Sequence, residues 1–295
     1  MSKQPFFEGW YFKHQQGGHT IAFIPAHHRD ESGVHTASLQ IVTEDRAEYQ
    51  EVPIRDFQVE REPFRVRCGN SVFSLGGCRI DCAFAGERLT GTLRYGPWTA
   101  PRGDIMGPFR FVPFMQCRHS VLSMAHSVKG TLALGGQTLA FRQGEGYVEG
   151  DRGTSFPSRY LWTQSLFPGG SVMLSVADVP FCGGHFTGCV GFVWLNGREL
   201  RLATYRGLRI AEAGPQGAVV RQGRWELAVE LLEARPLDLR APQMGDMGRT
   251  IRESAACRVR YRLLRDGKHV LDTECGQAGF EADWTEKEDK VPPRP

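Results

Sequence analysis

RVRYRLLRDGKHVL, residues 258–271, decides the class of fold. Its first six residues alternate strictly, with Arg258, Arg260 and Arg262 on one side and Val259, Tyr261 and Leu263 on the other. A period of two marks a strand with one face on a core and the other in water. Asp266-Gly267 then supplies two positions that tolerate positive φ, as a two-residue hairpin turn requires. The same grammar recurs along the chain. Leu89, Gly91, Leu93 and Tyr95 share one face, as do Trp225, Leu227, Val229 and Leu231. Gly135-Gly136 and Asn196-Gly197 sit between apolar runs in the same way. With 35 glycines spread through the chain, long amphipathic helices have little room. The only helix expected is a short one near Thr250–Ala256.

A faint repeat extends this reading. Residues 9–26 overlay 158–177 as aromatic strand, glycine-containing turn and apolar strand, and 51–95 parallels the stretch from 200 to about 238. Two β units of about half the chain each are implied, placed at 1–140 and 141–283, with 284–295 as a charged, proline-containing tail. Units of this size remove their edges by closing into barrels, which can hold one small apolar ligand. The expected fold is all-β: two tandem lipocalin-like antiparallel barrels or half-barrels.

Composition excludes several functions. Basic and acidic residues number 36 and 33, so no footprint for a nucleic acid is visible. No apolar run approaches the roughly 18 residues of a spanning helix. Met1-Ser-Lys-Gln leads into a folded-looking motif without a signal segment, so a cytoplasmic setting is expected, with eight reduced cysteines acting as small core residues. Cys78 and Cys82 lack the second pair that a zinc site needs, and no metal is expected. Gly17-Gly18, Gly169-Gly170 and Gly183-Gly184 read as turns, and His27-His28-Arg29-Asp30 as a solvated polar turn.

GYVEGDRGTSFPSRYLWTQ (146–164) carries the chemistry. Glu149 and Asp151, two apart on an extended segment, point the same way. At close range one of them can keep a proton, above all where aromatic neighbours exclude water. Alternatively Arg152 or Arg159 pairs with one of them and both serve as anchors. Tyr147, Ser155, Phe156, Tyr160, Trp162 and Gln164 complete the segment's candidate lining.

This segment resembles the Tyr-x-Glu-Lys-Asn/Asp-Trp-Gly-x-Ser-Phe-Pro signature of the tocopherol cyclase family. FFEGWYFK (6–13), GPFRFVPFMQCRHSVLSMAH (107–126) and APQMGDMGRTIRESAACRVRYRL (241–263) are similar to further stretches of that family, in the same order. The family's lysine and tryptophan after the glutamate are Gly150 and Arg152 here. The resemblance implies a two-domain calycin-like fold. It also implies a cofactor-free reaction in which a phenol oxygen adds across a trisubstituted alkene of its own prenyl tail. Such a reaction needs a proton donor, a surface that tolerates a tertiary cation and a group that orients the phenol. Asp151 and Glu149 are then the catalytic candidates. Glu8, Trp10, Tyr11, Arg152 and His119 join the substrate-binding set, with Glu8 alternatively an anchor for an arginine. His119 and His126, seven apart on one strand, should face opposite ways, and a structural role for each is the simpler reading. The partner expected is a hydrophobic small molecule. Peripheral contact with a membrane is compatible with this, although no amphipathic helix is evident to make it. The alternative function is a lipocalin-like carrier that binds such a molecule without converting it.

Overall fold

The hairpin at 258–271 forms, with Asp266 at φ 50° and Gly267 at φ 74° in its turn. In this computed structural model the described residues are 4–112, 115–181 and 184–284. They build two antiparallel sheets. The first contains β1 (Phe6–Gln16), β2 (His19–Arg29), β3 (His35–Thr43), β4 (Ala47–Val52), β5 (Phe57–Arg61), β6 (Phe64–Cys68), β7 (Ser71–Ser74), β8 (Gly77–Phe84), β9 (Glu87–Tyr95), β10 (Cys117–Leu134) and β11 (Gln137–Gly153). The second contains β12 (Tyr160–Phe167), β13 (Gly170–Phe181), β14 (Gly184–Leu195), β15 (Arg198–Ala203), β16 (Arg209–Gly214), β17 (Gly217–Gln222), β18 (Trp225–Glu233), β19 (Leu237–Gln243), β20 (Asp246–Arg265) and β21 (Lys268–Asp283).

Both sheets use one topology. Spatial order in the first is β4-β3-β2-β1-β11-β10-β9-β8-β7-β6-β5, and in the second β15-β14-β13-β12-β21-β20-β18-β17-β16, with β19 also paired to β20. In each, the opening strand pairs with the closing one, and a 3-10 turn follows the fourth strand (Ile54–Asp56, Thr204–Arg206). The repeat read from sequence is therefore a repeat of topology. One sheet curls into a nearly closed barrel, beside which the second lies.

Three apolar clusters hold this together. Phe12, Phe23, Ile41, Phe73 and Leu93 fill the first barrel, and Leu174, Leu227, Val259, Tyr261 and Leu263 line the second sheet. A third cluster takes Tyr11, Val121 and Tyr147 from one sheet and Trp162, Met173, Phe192 and Ile251 from the other. Full burial of such a side chain is worth about 1.5–3 kcal/mol. A shared cluster of this size makes the two sheets one packed body rather than two tethered ones.

Alternation on β1 and β11 places the site. Trp10, Phe12 and Val148 pack in the first barrel, so Tyr11, Lys13, Tyr147 and Glu149 face the second sheet.

Several expectations change. Thr250–Ala256 is strand, not helix: it lies in β20, pairs with β19 and β21, and carries a bulge between Ser254 and Cys257. The small residues Ser254, Ala255, Ala256 and Cys257 are all buried, so close sheet packing rather than helix propensity set their conformation. His27 and His28 are not in a solvated turn. They sit in β2, where His28 is buried against Thr36 and the turn begins only at Asp30. Residues 140/141 fall inside β11, and the sheets change over at 154–159. Seven cysteines are free, while Cys182, Gly183 and the tail beyond Trp284 lie outside the described residues. None of the described helices is long and apolar enough to cross a membrane.

Candidate functional site

A cavity of about 340 Å³ lies between the sheets, lined from both. Phe7, Trp10 and Tyr11 of β1 contribute, as do Phe156 of the crossover and Tyr160 and Trp162 of β12. Tyr11 and Trp162 meet edge to face, with ring centroids 5.6 Å apart. Ile24, Met106, Phe109, Leu239, Met247 and Ile251 make the rest of the wall largely apolar.

One end is polar. β-Register sets His119 beside Asp151 and Tyr11 beside Glu149. His119 Nδ1 is 3.0 Å from Asp151 Oδ1, and its Nε2 is 3.3 Å from Glu149 Oε2, an ion-pair contact without hydrogen-bond alignment. Glu149 Oε2 also accepts hydrogen bonds from Tyr147 Oη (2.6 Å) and Trp162 Nε1 (3.2 Å). Cys117 donates to Asp151 Oδ1 at 3.4 Å, whereas Asp151 Oδ2 accepts from no described residue. Burial alone would strip His119 of its proton, but Asp151 and Glu149 outweigh it and hold its pKa well above the ordinary value. Both carboxyl groups thus approach the one His119 ring, Asp151 at Nδ1 and Glu149 at Nε2.

Two further buried carboxyls, which the sequence reading missed, have raised pKa values. Glu253 of β20 is buried and lines the cavity, and its Oε1 has no hydrogen-bond partner. Tyr11 reaches the same region, its hydroxyl equally without a partner. Burial, then the charge of Glu149, push the Glu253 pKa up to about 7 against the pull of Lys13. Glu281 of β21 is also raised well above the ordinary carboxyl value, by burial and then by Asp151 and Glu149, and accepts the Tyr160 hydroxyl. Lys13 is buried, donates to the Gln277 carbonyl at 2.6 Å, and is lowered to about 8 by burial. Glu281 had a sequence signal: it is a lone acid in the apolar run Ala278–Ala282. Glu253 was hidden by the helix assignment.

Glu253 makes stability depend on pH. From about pH 4.5 to 7 the folded protein holds a proton there that the unfolded chain has lost, so its contribution falls as pH rises through that window. Relative to the parent, Glu253→Gln should gain roughly 3 kcal/mol between pH 5 and pH 8. Denaturant unfolding of both proteins at the two pH values measures this.

Other expected residues lie elsewhere. Arg152 is exposed on the opposite face of β11, and Arg159 stands 4.0 Å from Asp178 and over the Trp284 ring, so neither pairs with the site carboxyls. Glu8 binds Arg61 (2.7 Å) and His27 (3.3 Å). Burial opposes its charge, but these partners win and hold its pKa at about 2, so it is an anchor and not a proton donor. Ser155 is spent on the Met244 backbone N–H (2.8 Å). Gln164 is buried without lining the cavity, and Tyr147 acts only through Glu149. His126 is buried beside Ser123 and Tyr95, away from His119.

Gly150 has a packing reason. A Cβ there would lie 2.8 Å from Trp10 Cδ1 and 3.0 Å from the Gly9 carbonyl oxygen. Gly150→Lys should therefore push Trp10 from its place and cost about 1–3 kcal/mol, read as a lowered thermal midpoint.

His119, Glu149 and Asp151 are also the described residues able to hold a metal ion, with ligand atoms within 4.8 Å of one another.

No family model matches the chain, and no curated protein matches it significantly by sequence. Solved structures do match by fold. CghA aligns with TM-score 0.63 at 10% identity, over 97% of this chain and 90% of that one. An AttH protein from Nitrosomonas europaea aligns with TM-score 0.54 at 10% identity, over 96% and 93%. Kievitone hydratase from Nectria haematococca aligns with TM-score 0.51 at 12% identity, over 95% and 89%. The chain shares their two-sheet, lipocalin-like fold over nearly its whole length.

Proposed function

We propose that the chain is a cofactor-free enzyme of the tocopherol cyclase kind, closing a chromanol ring in a prenylated hydroquinol or a similar hydrophobic substrate. The observation that carries this reading is the placing, in one apolar cavity, of the buried Glu253 carboxyl, whose Oε1 is unpartnered, together with the Asp151 carboxyl held against His119. The phenol O–H gives its proton to Asp151 Oδ2, and the oxygen forms a bond to the tertiary carbon. Glu253 delivers a proton to the other alkene carbon, and return of the proton from Asp151 to Glu253 restores the site. Glu253 is the better placed donor of the two buried acids because its Oε1 is unpartnered, whereas Glu281 already accepts the Tyr160 hydroxyl. Tyr11 and Trp162 offer their rings to the developing cation, worth about 0.5–2 kcal/mol each. The largely apolar lining excludes water, which would otherwise capture that cation as an alcohol.

Incubation of the purified protein with a prenylated hydroquinol, with and without a chelator, tests this. Chromanol should form equally in both, and rates should fall as pH rises above about 7, where Glu253 loses its proton. Loss of activity on chelation, restored by a divalent ion, would transfer the role of the His119 cluster to a metal.

The carrier reading is favoured by a different observation: Glu149 Oε2 is already taken by Tyr147 and Trp162, and Asp151 Oδ1 by His119 and Cys117. Native mass spectrometry separates the two. An intact lipid retained after long incubation supports the carrier, and conversion supports the enzyme. One structural neighbour is named a hydratase, so a tertiary alcohol product would point to addition of water at the same carbon.

A further inference from the structure

On the other face of β11 lies an open depression of about 300 Å³, lined by Glu8, Arg61, Arg118 and Arg152 together with Phe7 and Met115. Register places Glu8, Arg152 and Arg118 in one row across β1, β11 and β10. Glu8 neutralises only one guanidinium: its Oε2 is taken by Arg61 and His27. Arg118 and Arg152 are left directly opposite each other, an arrangement that repels on a sheet unless an anion lies between them. Arg118 spends one N–H on the Val112 carbonyl (3.2 Å), and the side chain of Arg152, whose backbone sits in the ladder, makes no hydrogen bond or ion pair with a described residue. Most of their N–H groups are therefore free, in the forked geometry that suits phosphate oxygens. Two unneutralised guanidinium groups match the near-double charge of a phosphate monoester at neutral pH.

We propose that this depression binds the phosphate or diphosphate group of an amphiphile whose apolar part occupies the cavity between the sheets. Phe7 and Met115 line both hollows, so head and tail are held on either side of a shared wall. Arg152, which stands where the resembled family has tryptophan, thereby gains a role that ring closure does not give it. The proposal concerns binding and is independent of turnover, so failure of the cyclase reading leaves it standing.

Calorimetry at low salt tests it with four probes: octyl phosphate, octanol, inorganic phosphate and inorganic pyrophosphate. Octyl phosphate should bind at least tenfold more tightly than octanol and than inorganic phosphate. Arg152→Ala should weaken pyrophosphate and octyl phosphate at least tenfold, and Arg152→Glu should abolish both, with octanol binding and the unfolding midpoint unchanged. Arg118→Ala should reproduce the loss. Equal affinity for octyl phosphate and octanol, or for pyrophosphate in parent and Arg152→Ala, would overturn the anion site. Equal affinity for octyl phosphate and inorganic phosphate would overturn the shared ligand.

Discussion

Asp151→Asn should lower turnover of a prenylated hydroquinol by about 10²–10⁴-fold, the usual worth of a positioned acid or base, while the substrate still binds. The amide is nearly isosteric, and its oxygen can still accept from His119 Nδ1, so the 3.0 Å contact and the strand register survive. What disappears is the basic oxygen facing the cavity and half of the negative charge that holds the proton on His119. A loss confined to kcat, with little change in KM, supports a role in the chemical step. Unchanged turnover would remove Asp151 from the mechanism. Glu149→Gln tests a different link, because it removes the negative charge facing His119 Nε2 while leaving an amide oxygen that can still accept from Tyr147 and Trp162.

Arg201→Ala should cost about 3–5 kcal/mol and lower the melting point by roughly 10 °C, the largest stability effect expected of a single surface-to-loop contact here. Arg201 and Glu199 are both buried and pair at 2.7 Å. The guanidinium also donates to the carbonyls of Arg102, Gly103 and Asp104, and Tyr205 holds the Ile105 carbonyl at 3.0 Å. Truncation leaves the Glu199 charge buried without its cation and the Arg102 and Gly103 carbonyls without a donor, the Asp104 carbonyl keeping the Gly107 N–H. The same contact fastens a loop of the first half onto the second sheet, and Met106 and Phe109 of that loop line the cavity. Ligand binding should therefore weaken along with stability. Thermal unfolding with and without a bound alkyl ligand reads both. A shift under about 1 kcal/mol would mean that the loop is held by packing alone.

Strand pattern was legible because alternation and turn chemistry are local. Val259, Tyr261 and Leu263 are buried as their spacing requires, and the Gly135-Gly136, Asn196-Gly197 and Asp266-Gly267 turns all adopt positive φ. Tyr160 and Trp162, two apart on β12, line the cavity together as the same alternation requires, whereas Trp10 and Tyr11 are neighbours on opposite faces of β1 and Phe156 lies in the crossover. What sequence hid was set by long-range pairing. Glu253 and Glu281, more than a hundred residues after Glu149, come to the same cavity only because β21 pairs with β12 and β20 pairs with β21. His119 became the partner of Asp151 through the β10–β11 register, a contact that no spacing within one segment announces. Arg152 was misplaced for the opposite reason. Its neighbours in sequence suggested the site, whereas period two turns it to the other face.

The central claim is that an acid in this cavity protonates an alkene while the phenol oxygen closes the ring. Turnover in deuterium oxide tests it most directly. The chromanol should carry one deuterium on the carbon next to the new quaternary centre, and Glu253→Gln should abolish its formation. Recovery of the unchanged, undeuterated prenylated hydroquinol from the active-pH range would contradict the claim.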